Sequence, residues 1–132
     1  MGQQEMTELV AAAREAAKHA YCPQSGFHVG AAVRTASGEI VPGCNVENSS
    51  YGLTNCAERT AMFAARALGH EHLTALALTC PDGDPARPST LMPCGACRQV
   101  MNELLDDAAP IIVDQVGVFH KADLLPQAFQ LE

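Results

Sequence analysis

The sequence predicts an α/β fold with helices packed on both faces of a mixed β-sheet. Two observations carry that expectation. Segments with apolar residues at helical spacing alternate with short runs of small and branched apolar residues, and they follow in the order helix, hairpin, helix, strand, helix, strands. The length of 132 residues, without an internal repeat, low-complexity tract or linker, fits one domain over residues 1–132 with a buried core.

Each element has its own signal. Residues 7–19 carry Leu9, Val10, Ala13, Ala16 and Ala17 at helical spacing behind Thr7, a cap candidate. Residues 27–35 and 39–45 are extended in pattern around the turn signal Ser37-Gly38, which predicts a hairpin. Residues 56–68 repeat apolar side chains at 61, 62, 64, 65 and 68 and close on Gly69, the signature of a buried helix. Residues 73–79 read as a central strand. The loop 81–88 holds four prolines and glycines in eight residues, which excludes regular structure there. Residues 94–105 form a third helix with Val100, Met101, Leu104 and Leu105 inward, 110–113 and 116–119 are short strands, and 124–129 read as a last helical turn behind Asp123.

Composition narrows the function. A formal charge of -7 with eight Lys and Arg argues against holding a nucleic-acid backbone or an anionic membrane, since both need clustered cations. No apolar run approaches the roughly 18–20 residues of a membrane span, and Met1-Gly2-Gln3-Gln4-Glu5 lacks a signal-peptide pattern, so a cytoplasmic protein is expected. Met6 stands where a myristoylation motif beginning at Gly2 requires Ser or Thr.

The chemistry lies in Cys56-Ala57-Glu58 and Pro93-Cys94-Gly95-Ala96-Cys97, each at the predicted start of a helix. Cysteines three apart on a first helical turn face the same side and can grip one ion. The helix N-terminus, with its partial positive charge and unpaired N–H groups, stabilises the thiolate that a metal requires. Three thiolates on Zn2+ leave one tetrahedral position open, the arrangement of a catalytic site, and Glu58 lies close enough to act on whatever fills it. Arg59, one turn after Cys56, is placed to offset the negative charge of such a site from outside the ligand set. Two other readings remain open on spacing alone: Cys94 and Cys97 as a redox pair, or a structural zinc with Cys22, Cys44, Cys80 or a histidine as fourth ligand. Cys22, Cys44 and Cys80 otherwise read as small buried side chains. Asn45 and Glu47, two apart at a strand end, share one face and suit a sugar hydroxyl, or equally a solvated edge. Phe27 reads on composition as a core residue.

The motifs Phe27-His28-Val29-Gly30-Ala31-Ala32, Gly43-Cys44-Asn45-Val46-Glu47-Asn48, 50–59, 93–99 and Leu124-Leu125-Pro126 resemble the zinc-dependent cytidine deaminases, specifically the small homotetrameric type, over residues 21–129. The resemblance implies a three-layer α/β/α sandwich around a five-stranded mixed sheet, zinc held by Cys56, Cys94 and Cys97, and an activated water that attacks C4 of cytosine. Glu58 would then act as base and afterwards as acid. It further implies that Ala57 and the Cys94 region meet the base edge, that Phe27 packs on the ring and that Asn45 and Glu47 hold the sugar 3'-hydroxyl. The Ser49–Tyr51 segment and Phe129 would serve a neighbouring subunit's pocket, making an active homotetramer with shared sites.

Two departures bear on substrate. Gln24 stands where the related segment has an aromatic, and Met92 where many members have Ser. The leading expectation is deamination of cytidine and 2'-deoxycytidine to the uridines, in pyrimidine salvage. The alternative is a modified or N4-substituted aminopyrimidine nucleoside, as in blasticidin S deaminases. Deoxycytidylate or polynucleotide substrates fit less well, because those relatives use His as the first ligand and this acidic chain has no phosphate patch. A noncatalytic zinc module would leave Glu58 and Arg59 without a role.

Overall fold

The computed structural model describes residues 1–131. Helix α1 (Gln3–Ala17) leads into the hairpin β1 (Gly30–Thr35) and β2 (Ile40–Cys44), followed by α2 (Ala57–Ala67), β3 (Leu73–Thr79), α3 (Gly95–Leu104), β4 (Ile111–Val113), β5 (Gly117–Phe119) and the single turn α4 (Lys121–Leu124). The five strands lie in the order β2-β1-β3-β4-β5, with β3 and β4 parallel and the other pairs antiparallel. The expected mixed five-stranded sheet is therefore present. Helix α3 is the crossover between the two parallel strands, which a hairpin cannot join.

Alternation along the strands sorts side chains to two faces. Ala32, Ala75, Ala77 and Ile112 pack under Leu9 and Ala13 of α1, while Ala31, Val33, Leu76, Leu78, Ile111 and Val113 pack against Ala61, Met62 and Ala65 of α2 and Met101 of α3. That gives the three layers. Two glycines let helices come unusually close: a Cβ on Gly30 would lie 2.0 Å from the Ala13 carbonyl oxygen, and one on Gly43 2.4 Å from the Ala61 nitrogen. Among the described residues no helix is long and apolar enough to cross a membrane.

Three boundaries differ from the sequence reading. Helix α1 begins at Gln3, because Glu5 accepts the Gly2 N–H; Thr7 lies inside the helix and its hydroxyl donates back to the Gln3 carbonyl. Regular strand starts at Gly30 rather than residue 27, since the Asn45 side chain takes over the Phe27 carbonyl and the Val29 N–H. The last helical turn covers Lys121–Leu124, ahead of the expected segment. Asp123 accepts the His120 N–H and closes the first turn instead of preceding it, and Pro126 has no N–H with which to continue.

Candidate active site and metal centre

Helices α2 and α3 bring their N-termini together beside the C-terminal end of β3, where the loops of an open α/β sheet form a crevice. Cys56 is the N-cap of α2 and Cys94 the N-cap of α3, both with extended backbone, and Cys97 lies one turn into α3. Neither sulfur caps its own helix, so the first-turn N–H groups remain directed at the site. The sulfurs of Cys56, Cys94 and Cys97 all lie within 4.8 Å of one another, and no other metal-capable side chain joins the cluster among the described residues. Cys56 and Cys94 sulfurs are 3.8 Å apart, which matches the edge of a tetrahedron with zinc–sulfur arms of ~2.3 Å. The donor set and spacing fit zinc with one position left over, and Cys22, Cys44 and Cys80 stand outside it.

The electrostatics follow from burial and one arginine. Arg59 Nη2 donates to the Cys56 sulfur at 3.1 Å, while its Nε is buried with no acceptor among the described residues. A hydrogen bond from the Cys97 thiol, then the Arg59 guanidinium, lowers the Cys56 thiol to about 5, and Cys97 moves up as the partner keeping the proton. Contact with Cys56 in turn raises the pKa of Arg59. Glu58 is 3% exposed, and burial raises its carboxyl to about 7 even though its own backbone N–H pulls the other way. A carboxyl poised near neutrality beside a thiolate cluster is equipped both to take and to return a proton.

Cys56, Glu58 and Cys94 face a cavity of about 190 Å3 lined also by Phe27, Val29, Asn45, Thr54, Asn55, Ala57, Leu78, Cys80, Thr90 and Met92. Of the expected substrate residues, Phe27, Asn45 and Ala57 line it. Asn45, 8% exposed, accepts from the Val29 N–H at 2.9 Å and donates to the Phe27 carbonyl at 2.8 Å. Glu47 lies outside the lining and accepts from the Gln24 and Ser25 N–H groups and the Ser25 hydroxyl, which hold its pKa below the usual carboxylate range. Ser49, Tyr51 and Phe129 do not line this chain's cavity; Tyr51 is 77% and Phe129 71% exposed. Gln24 is exposed beside Glu47, whereas Met92 is part of the wall.

The sequence reading missed Thr54, Asn55, Leu78, Cys80 and Thr90 as wall residues. Thr54 and Asn55 directly precede Cys56, and Thr90 lies four residues before Cys94, so proximity to the ligand motifs was the available signal. Burial raises the Cys80 thiol to about 12, so it stays protonated and apolar at this wall.

Comparison with known proteins agrees with this geometry. The family model for the cytidine and deoxycytidylate deaminase zinc-binding region matches residues 3–112. A cytidine deaminase from Mycobacterium tuberculosis is 47% identical over 91% of this chain and 86% of its own length. A crystal structure of cytidine deaminase from Burkholderia pseudomallei superposes with a TM-score of 0.83 at 43% identity, covering 98% of this chain and 100% of that one. A blasticidin-S deaminase from Bacillus cereus is more distant, 33% identical over 83% of this chain and 79% of its own.

Proposed function

The chain belongs to the cytidine and deoxycytidylate deaminases with a zinc-binding region, and from that premise we propose that it converts cytidine and 2'-deoxycytidine with water to the uridines and ammonia. It is a zinc-dependent hydrolase of nucleosides. One observation carries the reading: the buried Glu58 carboxyl, near neutrality in pKa, shares a crevice of about 190 Å3 with Cys56 and Cys94 of the three clustered sulfurs.

Cys56, Cys94 and Cys97 are the zinc ligands, and Arg59 steadies the thiolate of Cys56. Zinc, when bound, supplies the Lewis acidity that makes a water nucleophilic near neutral pH. Glu58 takes a proton from the attacking water as the water oxygen bonds to C4 of the pyrimidine, and delivers that proton to N3. It then carries the remaining hydroxyl proton to the amino nitrogen at C4. The C4–N bond breaks, ammonia leaves and the C4 carbonyl forms, so water is consumed and all protons are accounted for. Ala57 meets the base edge, Phe27 covers a ring face, and Asn45 with Glu47 forms the sugar end of the site.

The unit of activity is one domain over residues 1–132, assembled as a cytoplasmic homotetramer that serves pyrimidine salvage. Exposure of Tyr51 and Phe129 away from this chain's own cavity supports shared pockets, in which both side chains, with Ser49, complete a neighbour's site. The test is an ultraviolet assay of zinc-loaded protein on cytidine, 2'-deoxycytidine, their 5'-monophosphates and an N4-substituted cytidine. Turnover of the first two is expected; turnover of none would overturn the enzyme reading, and preference for the N4-substituted compound would move the substrate toward modified nucleosides.

A further inference from the structure

Cys94 is the exposed member of the sulfur triad, whereas Cys56 is half-buried and Cys97 is buried. Packing does little to place Cys94, so the position of its Cβ depends on the backbone. Both peptide groups flanking Cys94 are bonded to Arg98. The guanidinium Nε donates to the Pro93 carbonyl at 2.9 Å, and the Arg98 backbone N–H donates to the Cys94 carbonyl at 3.1 Å. Because each peptide unit is planar, pinning the two units around one Cα fixes that residue's φ and ψ. Cys94 is held at -71° and 167°, which places its Cβ where the sulfur can reach 3.8 Å from that of Cys56.

The guanidinium has a second anchor. Its Nη1 donates to the carbonyl of Leu124, the buried last residue of α4, at 2.9 Å. One planar fork therefore joins the peptide ahead of Cys94 to Leu124, 26 residues beyond Arg98. Lys121 docks α4 on α3 independently, its ammonium donating to the Asn102 and Leu105 carbonyls at 3.1 and 2.8 Å. The docking of α4 thus does not require Arg98, and the bond to Pro93 is left as the distinctive work of its side chain.

We infer that Arg98 is a positioning residue for the metal centre: it sets the backbone of Cys94 and braces that setting against α4. This rests on the reading of Cys56, Cys94 and Cys97 as zinc ligands. A lysine reaches one carbonyl at a time and lacks the flat fork, so Arg→Lys is not conservative here.

The experiment measures the rate at which zinc leaves the loaded protein into a chromogenic chelator, for wild type, Arg98→Gln, Arg98→Lys, Lys121→Met and Cys94→Ser. Arg98→Gln is expected to release zinc at least ~10-fold faster, as for loss of a group that orients a ligand. Arg98→Lys should fall between, and it keeps the test available if the glutamine variant does not fold. Lys121→Met, which loosens the α4 end of the brace but leaves the Arg98–Pro93 bond in place, should speed release less than Arg98→Gln does, with a lower melting temperature. Wild-type release rates in both Arg98 variants would overturn the inference, as would a Lys121→Met rate equal to that of Arg98→Gln. Cys94→Ser separates the two levels: if it retains zinc like wild type, the ligand reading itself falls and takes the inference with it.

Discussion

Asn45 grips the chain on either side of His28, donating to the Phe27 carbonyl and accepting from the Val29 N–H. Its amide completes a strand edge that the backbone leaves unpaired and, in doing so, sets one wall of the cavity. Asn45→Ala leaves two polar groups unpaired, at a cost of ~1–3 kcal/mol, and frees Phe27. Steady-state kinetics should show KM for cytidine rising roughly 10-fold, with a smaller change in kcat. Asn45→Asp can accept from Val29 but not donate to Phe27, and its KM should lie between the two.

Removing the acid–base group should separate chemistry from metal binding. Glu58→Gln is expected to keep its zinc, measured by elemental analysis, and to lose at least ~10^2-fold in kcat. Near-normal turnover would take Glu58 out of the mechanism.

Burial raises Glu58 from the ordinary 4.5 to about 7, and this carries a cost that pH reveals in protein stripped of metal by a chelator. The unfolded chain loses this proton at lower pH than the folded chain. Stability is therefore greatest below pH 4.5 and falls as pH rises through 7, by about 3 kcal/mol in all. Glu58→Gln should lack that slope. In chemical denaturation it should be the more stable protein at pH 8 and equal to wild type at pH 4.5.

A different carboxylate should govern the acid limb. Asp114 is held below the ordinary 3.8 first by Arg14, which donates through Nε and Nη2 at 2.8 Å, and also by the Thr79 hydroxyl. Its folded-state pKa is depressed, so its contribution is complete above pH 3.8 and disappears as pH falls through the folded value. Arg14 is largely exposed, which limits the effect of Arg14→Ala to about 1 kcal/mol, or roughly 4 °C, at pH 7. Thermal melts of the two proteins should converge as the pH is taken down below 3.8.

The metal centre was legible because its logic is local. Cys94 and Cys97 need only one helical turn to face together, and Glu58 is tied to Cys56 by two residues. The sheet was legible because β1 and β3 are short runs of small and branched apolar residues bounded by turn signals. What depended on distant folding was not legible. Cys80, Thr90 and Met92 become one wall only because the loop from Pro81 turns back, with Leu91 buried over Gly83 and Thr90 bonded to Asp84 and Arg87. Asn45 was recognisable as a polar residue near a sugar site, but its two backbone partners lie 16 and 18 residues away, and nothing in the intervening sequence announces them. The start of α1 shifted for the opposite reason: a weak local contact, the Gly2 N–H donating to Glu5, outweighed the better-looking cap at Thr7.

Gly30 and Gly43 lie on neighbouring strands at adjacent registers, one pressed by the backbone of α1 and the other by that of α2. The sandwich is pinched at this corner, from which the chain runs directly to Asn45. Freedom to vary is consequently uneven around the substrate crevice. Even a methyl group at either glycine meets main chain, so this side is closed to evolutionary or laboratory exploration. The opposite side, built from Thr90 at the end of a single 3-10 turn (Pro88–Thr90) and Met92 in the loop that follows, lies outside the sheet and its helices and can accept new shapes without disturbing the layers. A search for altered nucleoside preference should begin there.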